Sequence, residues 1–341
     1  MDDSTVSVID LASDSVVKTL AVGERPIGVT VANDGSKAYV ASLVGRSVSV
    51  IDGRNLGVLI TKPLDISPKS IAVNSTQSRL YVAGRRVPVS QTHFGNEPAV
   101  LLVLEANTLA LLAEVPLENT GGSNVAVSPD DSQVWVTQGS YAVAVVDTAR
   151  NAVSQVITVQ AGDLSPLTFG ADPLVAYVAG SSNLIAVDVS SGLPKFQNTH
   201  MMAGRGSSGV ALSADGERAY LAREGLGLDV YDLHDQKRVS FVRTGEHPSG
   251  VALHPDGSRI YVVNETEDSV AVVDAKTLAV VNTIRVGKQP VGRGRFIQPP
   301  KSGAAVAASV ASVRKPWIWN IALGVIALLA VFLVLRVFRS R

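Results

Sequence analysis

The sequence predicts an all-β fold, a seven-bladed β-propeller of four-stranded blades, followed by one C-terminal transmembrane α-helix. Three observations lead to this prediction. A unit of roughly 40 to 45 residues recurs along most of the chain. Each unit contains up to four short apolar runs separated by turn residues. A long apolar segment without charged side chains lies near the C-terminus.

The repeat is marked first by an acidic residue that closes an apolar run, as in VSVID and VAVVD. Consecutive copies are 42, 53, 42, 41, 44 and 42 residues apart. Each acid precedes a turn, where a carboxylate can accept hydrogen bonds from backbone N–H groups. We therefore expect turn caps here, and no ring of metal ligands. The seven acids are Asp10, Asp52, Glu105, Asp147, Asp188, Asp232 and Asp274.

Two further markers recur in the same units. An aromatic residue begins a small apolar run such as YVAS, and we expect these rings to pack between blades. They are Tyr39, Tyr81, Trp135, Tyr177, Tyr220 and Tyr261. An Asp-Gly pair, a strong hairpin signal, stands before the aromatic run at Asp34–Gly35, Asp215–Gly216 and Asp256–Gly257, and Asp130–Asp131 takes the same place.

Four short strands in each unit are typical of a propeller blade. A blade lies between two neighbours, so both of its faces are buried and its strands read as nearly continuous apolar runs. One blade cannot bury its own faces, and the unit must therefore recur until the ring closes.

The repeat resembles the YVTN family of β-propellers, whose blades carry P-x-G-V-A-V-S-x-D-G, then Y-V-x-N, then V-x-V-I-D. The resemblance covers residues 4–297 and implies the fold more than a function. Blade two departs from the pattern, with Glu105 in place of aspartate, no Asp-Gly pair and an insertion at 84–98. Blade four has no clear first hairpin turn within 169–180.

The predicted propeller occupies residues 1–297, and its closing blade combines segments 4–22 and 290–297. The chain enters on a third strand and ends its repeats on a first strand, so this blade lacks a second strand. Such a gap would expose unpaired backbone groups. We expect that the natural chain begins further upstream, with the missing strand and a signal peptide. The alternative is a three-stranded closing blade.

The C-terminal part predicts a membrane anchor. Residues 298–315 are rich in Pro, Gly, Ala and Ser and indicate a linker, 316–336 indicate a transmembrane helix in lipid, and 337–341 form a basic tail. Trp317, Trp319, Arg336 and Arg339 are expected at the membrane interfaces. The basic tail favours a cytoplasmic C-terminus and a periplasmic or extracellular propeller. If Met1 is the true start, a propeller facing the cytosol is the better interpretation.

Composition excludes several classes of function. The chain has no cysteine, and therefore no disulfide, thiolate zinc site, cysteine nucleophile or CxxCH haem attachment. Formal net charge is zero, but residues 301–341 contain six basic and no acidic side chains. Residues 1–300 therefore carry a formal charge of −6. An acidic body argues against nucleic acid as a partner.

A propeller usually carries its function at one mouth of the central channel, where the loops between blades meet. A concave mouth lined by cations focuses the electrostatic field and can receive an anion. Ordinary solvated loop charges are the alternative interpretation. The candidate ligand-binding residues are Arg25, Lys69, Arg85, Arg86, His93, Arg205 and Lys288.

Catalytic chemistry has weak signals. His247, beside Glu246, is the best acid–base candidate by position alone. No histidine stands in a zinc-binding spacing, so no metal site is predicted. His200 beside Met201 and Met202 more readily indicates packing than a copper site.

The sequence thus predicts a membrane-anchored binding or scaffold module for a protein, peptide or small anion. A non-catalytic role is favoured over an enzymatic one. A protein partner is expected, and no cofactor is predicted. One alternative is a lactonase- or lyase-type enzyme at the channel mouth, as propellers similar to this one include such enzymes. The other is an accessory protein of a periplasmic quinoprotein or haem redox system, whose redox centre would belong to a partner.

Overall fold

The structure is a computed structural model that describes residues 3–86, 98–120, 124–139, 141–159, 166–181, 183–198, 206–223, 225 and 227–297. All regular elements in these ranges are β-strands. The prediction of an all-β propeller with four-stranded blades is confirmed. The described residues form six complete blades and one two-stranded hairpin, where the sequence predicted seven four-stranded blades.

The chain starts with this closing hairpin, and the six blades follow in sequence order, each an antiparallel sheet whose strands pair in the order of the chain. The closing hairpin contains β1 (Thr5–Asp10) and β2 (Ser15–Ala21). Blade 1 contains β3 (Pro26–Val31), β4 (Lys37–Ser42), β5 (Ser47–Asp52) and β6 (Val58–Pro63). Blade 2 contains β7 (Ser67–Val73), β8 (Arg79–Arg85), β9 (Pro98–Glu105) and β10 (Leu111–Thr120). Blade 3 contains β11 (Asn124–Val127), β12 (Gln133–Gln138), β13 (Ala142–Asp147) and β14 (Ala152–Thr158). Blade 4 contains β15 (Leu167–Phe169), β16 (Val175–Ala179), β17 (Leu184–Asp188) and β18 (Pro194–Asn198). Blade 5 contains β19 (Ser207–Leu212), β20 (Arg218–Arg223), β21 (Gly227–Asp232) and β22 (Lys237–Val242). Blade 6 contains β23 (Pro248–Leu253), β24 (Arg259–Asn264), β25 (Ser269–Asp274) and β26 (Val280–Arg285).

The core lies between the blades rather than within any one of them. Tyr81 of blade 2, 1 % exposed, packs in one apolar cluster with Val134 and Val136 of blade 3. Trp135, on the opposite face of the same strand, packs towards blade 4 and meets Phe169 edge-on with ring centroids 5.6 Å apart. The aromatic series is therefore packed between blades as the sequence predicts.

The acids that close the third strands cap their turns. Asp52 accepts hydrogen bonds from the backbone N–H groups of Arg54 and Asn55, at 2.7 and 2.8 Å. Glu105, which replaces aspartate in blade 2, has the same role, because it accepts a hydrogen bond from the Thr108 N–H at 2.6 Å. Bonds from Thr108 and Asn107 lower the pKa of Glu105 to about 2. These carboxylates are structural turn caps, as predicted.

The turns between the first and second strands of the six complete blades have the same length. Gly35, Gly216 and Gly257 have φ between 71° and 75°, a region that glycine enters without a steric penalty. Blade 4 has no Asp-Gly pair, yet its first turn has the same number of residues. The Gly170 N–H donates to the Val175 carbonyl at 2.8 Å. The insertion in blade 2 extends β8 to Arg85, and residues 87–97 lie outside the described residues.

The ring closes through both ends of the propeller. On one side, Asp14 of the closing hairpin accepts hydrogen bonds from Arg259 at 2.6 Å and from the Tyr261 hydroxyl at 2.7 Å. On the other side, segment 291–297 runs beside β3, where Val29 and Val31 donate to the carbonyls of Arg293 and Arg295, both at 2.9 Å. Blade 6 and blade 1 are thus joined by two segments far apart in the sequence.

Within the described ranges, no helix is long and apolar enough to cross a membrane. The predicted linker, transmembrane helix and basic tail, with Trp317, Trp319, Arg336 and Arg339, lie outside the described residues.

The closure contact gives a stability prediction. We expect Asp14→Asn to lower the Tm by roughly 2–6 °C, because it weakens two charge-assisted hydrogen bonds across the closure. Asp235→Asn is the matched control, since Asp235 pairs with exposed Lys237 at the surface. Differential scanning calorimetry of the full chain in mild detergent measures both variants. Equal shifts in the two variants would contradict the role given to Asp14.

Candidate functional site

A cavity lies at the end of the ring where each fourth strand leads into the next first strand. We call it the mouth cavity, and its volume is about 330 Å³. Its lining comes from blades 1, 2, 5 and 6 and from segment 291–297. The lining residues are Arg25, Ile27, Leu43, Lys69, Ser208, His247, Pro248, Ser249, Glu265, Val291 and Arg293.

Loop geometry places two of these side chains. Arg25 and His247 each precede a proline that begins a first strand, and both have positive φ, 54° and 49°. This region is uncommon for residues with a Cβ atom. The carbonyl of Arg25 accepts a hydrogen bond from the Leu43 N–H, and that of His247 accepts one from the Glu265 N–H, at 2.9 and 3.0 Å. The same loop in two blades thus presents a cation and an imidazole to the mouth cavity.

Hydroxyl groups join neighbouring first strands below these loops. Ser249 donates to the Pro290 carbonyl at 2.9 Å, and Ser208 donates to the Pro248 carbonyl. Both serines are buried. The wall of the mouth cavity is therefore held by hydrogen bonds between blades, which fixes the positions of the charged groups above it.

Positive charge dominates the mouth cavity. Arg25, Lys69 and Arg293 line it, and Glu265 is the single carboxylate among its lining residues. Burial is the main cause that lowers the pKa of Lys69 to about 8, and the charges of Arg85 and Arg293 lower it further. An anion in the cavity would relieve this repulsion and favour the protonated form of Lys69.

The other predicted site residues lie elsewhere. Arg86 is exposed and paired with Asp65, at 2.7 Å, and with Glu114, and these acids raise its pKa. The Lys288 N–H donates to Asp3 at 3.0 Å, and Lys288 lines a cleft beside β1 instead of the mouth cavity.

Glu246 and His247, the acid–base candidates from the sequence, have different surroundings. Glu246 is exposed, and its N–H donates to the carboxylate of Glu267 at 2.9 Å. Among the residues lining the mouth cavity, the acid that accompanies His247 is Glu265, not Glu246. His93 and Arg205 lie outside the described residues.

Sequence reasoning missed Arg293 and Glu265. Arg293 lies in the first-strand segment of the closing blade, and it reaches the mouth only because the chain ends meet there. Glu265 directly follows β24, at the end of the strand that opens onto the mouth. The position after each Y-V-x-N run was the signal that could have identified it.

Three other charged groups in the described ranges form a network of ion pairs within blade 5. Asp229, fully buried in blade 5, accepts hydrogen bonds from Arg223 at 3.0 Å and from Arg238 at 3.1 Å. These residues do not line the mouth cavity. No group of three or more metal-ligating side chains occurs among the described residues.

Comparison with known proteins gives a match to one family model and matches to solved structures. The family model for the Cytochrome D1 heme domain matches residues 174–331, less than half of the chain. The solved Hydrazine Synthase of Kuenenia stuttgartiensis is similar in structure, with a TM-score of 0.70 and 19 % identity over 80 % of this chain and 89 % of that chain. No curated protein matches.

These matches support a β-propeller family for the chain, and they leave its assignment to the YVTN repeats unconfirmed. The structural similarity shows the fold alone, because the sequences share so few residues. In all, 1777 solved chains match, so the fold by itself does not distinguish one function from another.

The pKa of Lys69 gives a second prediction. The folded protein holds this group at about 8 against an ordinary 10.5. Between these values the unfolded chain binds more protons, so stability rises with pH as the folded form loses its charge at Lys69. We expect the wild type to gain stability relative to Lys69→Met between pH 7 and pH 9.5, measured by urea midpoints. A difference that does not change with pH would contradict this.

Proposed function

We propose that this chain is a propeller component of a haem redox system and that its mouth cavity binds a small anion. The observation that carries the anion site is the convergence of Arg25, Lys69 and Arg293 on one cavity, with Arg85 close enough to lower the pKa of Lys69. The similarity to the Cytochrome D1 heme domain supports the redox context. This similarity supports the haem-accessory alternative better than it supports a general scaffold.

The cavity fits a small anion better than a haem. Its volume, about 330 Å³, is at the low end of the range of roughly 300–1,000 Å³ for small-molecule sites. The described lining contains three cations that can bind a carboxylate or oxyanion, namely Arg25, Lys69 and Arg293. It contains one imidazole, that of His247. The haem in our proposal therefore belongs to a partner protein, and this chain supplies the anion site.

The remaining parts of the proposal follow from the sequence. The YVTN-like repeats suit a propeller that acts through its mouth, and 316–336 would anchor it in a membrane. A periplasmic or extracellular propeller agrees with the basic C-terminal tail. No observation specifically favours a lactonase- or lyase-type reaction over binding.

Anion binding gives a third prediction. We expect the full chain in detergent to bind sulfate and acetate, and Lys69→Met to weaken binding roughly 10- to 100-fold by removing a charge-assisted hydrogen bond. Affinity should also fall as pH rises through about 8, whereas Lys69→Arg should keep its affinity to higher pH.

Isothermal titration calorimetry at constant ionic strength measures these affinities. Lys276→Met is the matched control, because Lys276 is exposed in a turn of blade 6 and does not line the mouth cavity. Equal affinity of the wild type and Lys69→Met, or no binding at all, would reject the anion site.

The redox context gives a fourth prediction. We expect the full chain purified from its native membranes to carry haem bands of a co-purifying subunit in reduced-minus-oxidised spectra. When the recombinant chain alone is titrated with haemin, the Soret band should be the same for the wild type and for His247→Ala. A His247-dependent shift would make this chain the haem carrier. Native material without haem bands would remove the chain from a haem system.

A further inference from the structure

Opposite charges line the mouth cavity without pairing with each other. Glu265, which directly follows β24 of blade 6, is the carboxylate among the described lining residues. Lys69 lies on β7 of blade 2, and Arg293 lies in segment 291–297 beside β3. No ion pair in the described ranges joins Glu265 to either of these cations. The mouth cavity therefore has a cationic part and a separate acidic part.

The ring places these two parts on different sides of the mouth cavity. The closing blade and blade 1 lie between blade 6, which carries Glu265, and blade 2, which carries Lys69. Both side chains are attached to hydrogen-bonded backbone. The Glu265 N–H donates to the His247 carbonyl at 3.0 Å, and Lys69 belongs to β7, which pairs with β8. Closure of the ring therefore sets the separation of the two backbone positions.

The cationic part of the mouth cavity suits the acidic groups of a ligand. It is lined by Arg25, Lys69 and Arg293. The Nε atom of Arg293 is buried and has no hydrogen-bond partner among the described residues. A buried donor of this kind costs free energy unless an acceptor reaches it. Guanidinium groups bind carboxylates through charge-assisted hydrogen bonds, often two in parallel, so a carboxylate would satisfy this part of the lining.

The acidic part suits a cationic donor. Glu265 is half-buried, and within the described ranges neither a hydrogen bond nor an ion pair engages its carboxylate. The hydroxyls of Ser208 and Ser249 already donate to backbone carbonyls between blades. Ile27 and Val291 add apolar surface to the same cavity. An ammonium group on a short carbon chain complements this lining, since it can donate to the carboxylate while the chain contacts the apolar wall.

We propose that the mouth cavity selects a small amino acid with two acidic groups, of the aspartate or glutamate type, a specificity that rests on the anion site proposed above. The two carboxylates of this ligand bind the lining cations, and its ammonium group donates to Glu265. Three lining cations and one lining carboxylate complement two negative groups and one positive group better than they complement a simple oxyanion. Such a ligand still carries a net negative charge, as the anion site requires.

A comparison of two ligands tests this proposal on the wild type. Aspartate and succinate have the same carbon chain and the same two carboxylates, but succinate has no ammonium group. We expect aspartate to bind the full chain in detergent at least about tenfold more tightly, because it alone makes the charge-assisted hydrogen bond to Glu265. Isothermal titration calorimetry at constant ionic strength measures both affinities, and sulfate is the third ligand because it reports the anion site alone.

A variant assigns the preference to one side chain. We expect Glu265→Gln to bind aspartate and succinate with similar affinity, since the carboxylate that accepts from the ammonium group is gone. The same variant should bind sulfate at least as tightly as the wild type, because a negative charge has been removed from the cavity. Glu267→Gln is the matched control and should keep the preference for aspartate. Glu267 lies in the same loop, accepts a hydrogen bond from the Glu246 N–H at 2.9 Å and does not line the mouth cavity.

The three ligands separate failure of the amino-acid site from failure of the anion site. Sulfate binding together with equal affinities for aspartate and succinate would overturn the amino-acid specificity and leave the anion site intact. A preference for aspartate that persists in Glu265→Gln would also overturn it, because the ammonium group would then bind elsewhere. No binding of any of the three ligands to the wild type would reject both proposals.

Discussion

Burial of each sheet between two neighbours is the constraint on which the rest of this structure depends. The third strands of the complete blades are nearly continuous runs of buried apolar side chains, such as Ser47–Asp52 and Ser269–Asp274. Such a strand has no solvated face, so it is stable only when a blade covers each side. β1 shows the consequence, because it has the sequence of a buried strand and remains partly exposed beside an apolar cleft between blade 6 and blade 1.

Closure of the ring also builds the site. Arg293 lies within hydrogen-bonded backbone that joins segment 291–297 to β3, while Arg25 and Lys69 come from the first two blades along the chain. These cations line one cavity because residues more than 200 positions apart meet there. The contacts that close the ring and the charges that define the mouth cavity are therefore coupled, and a change that loosens the closure should also disperse the cations.

The sequence predicts what is local and repeated. Turn caps such as Asp52, glycine turns such as Gly257 and packed aromatics such as Tyr81 depend on residues within one unit and its neighbours. The contacts of the closing blade depend on how distant segments pair, so hydrogen bonds such as that from Tyr261 to Asp14 could not be predicted from the repeat. Arg86 was a candidate ligand-binding residue because it lies in the insertion at 84–98, and in the structure it pairs with Asp65 and Glu114. Spacing gives the position of a side chain on its strand and says nothing about acids that approach it from other loops.

The placement of charge argues for binding over mere surface solvation. Solvated loop cations keep their ordinary pKa, since water screens their mutual repulsion. Lys69 differs, because burial and two nearby guanidinium groups bring its pKa to about 8. A protein whose body carries a formal charge of −6 has acidic groups with which a buried lysine could pair, yet Glu265 is the one carboxylate on the described cavity wall. The mutual repulsion of the cations raises the free energy of the mouth cavity, and an anion that enters would lower it. This electrostatic repulsion is the physical basis of the anion selectivity that we propose for the site.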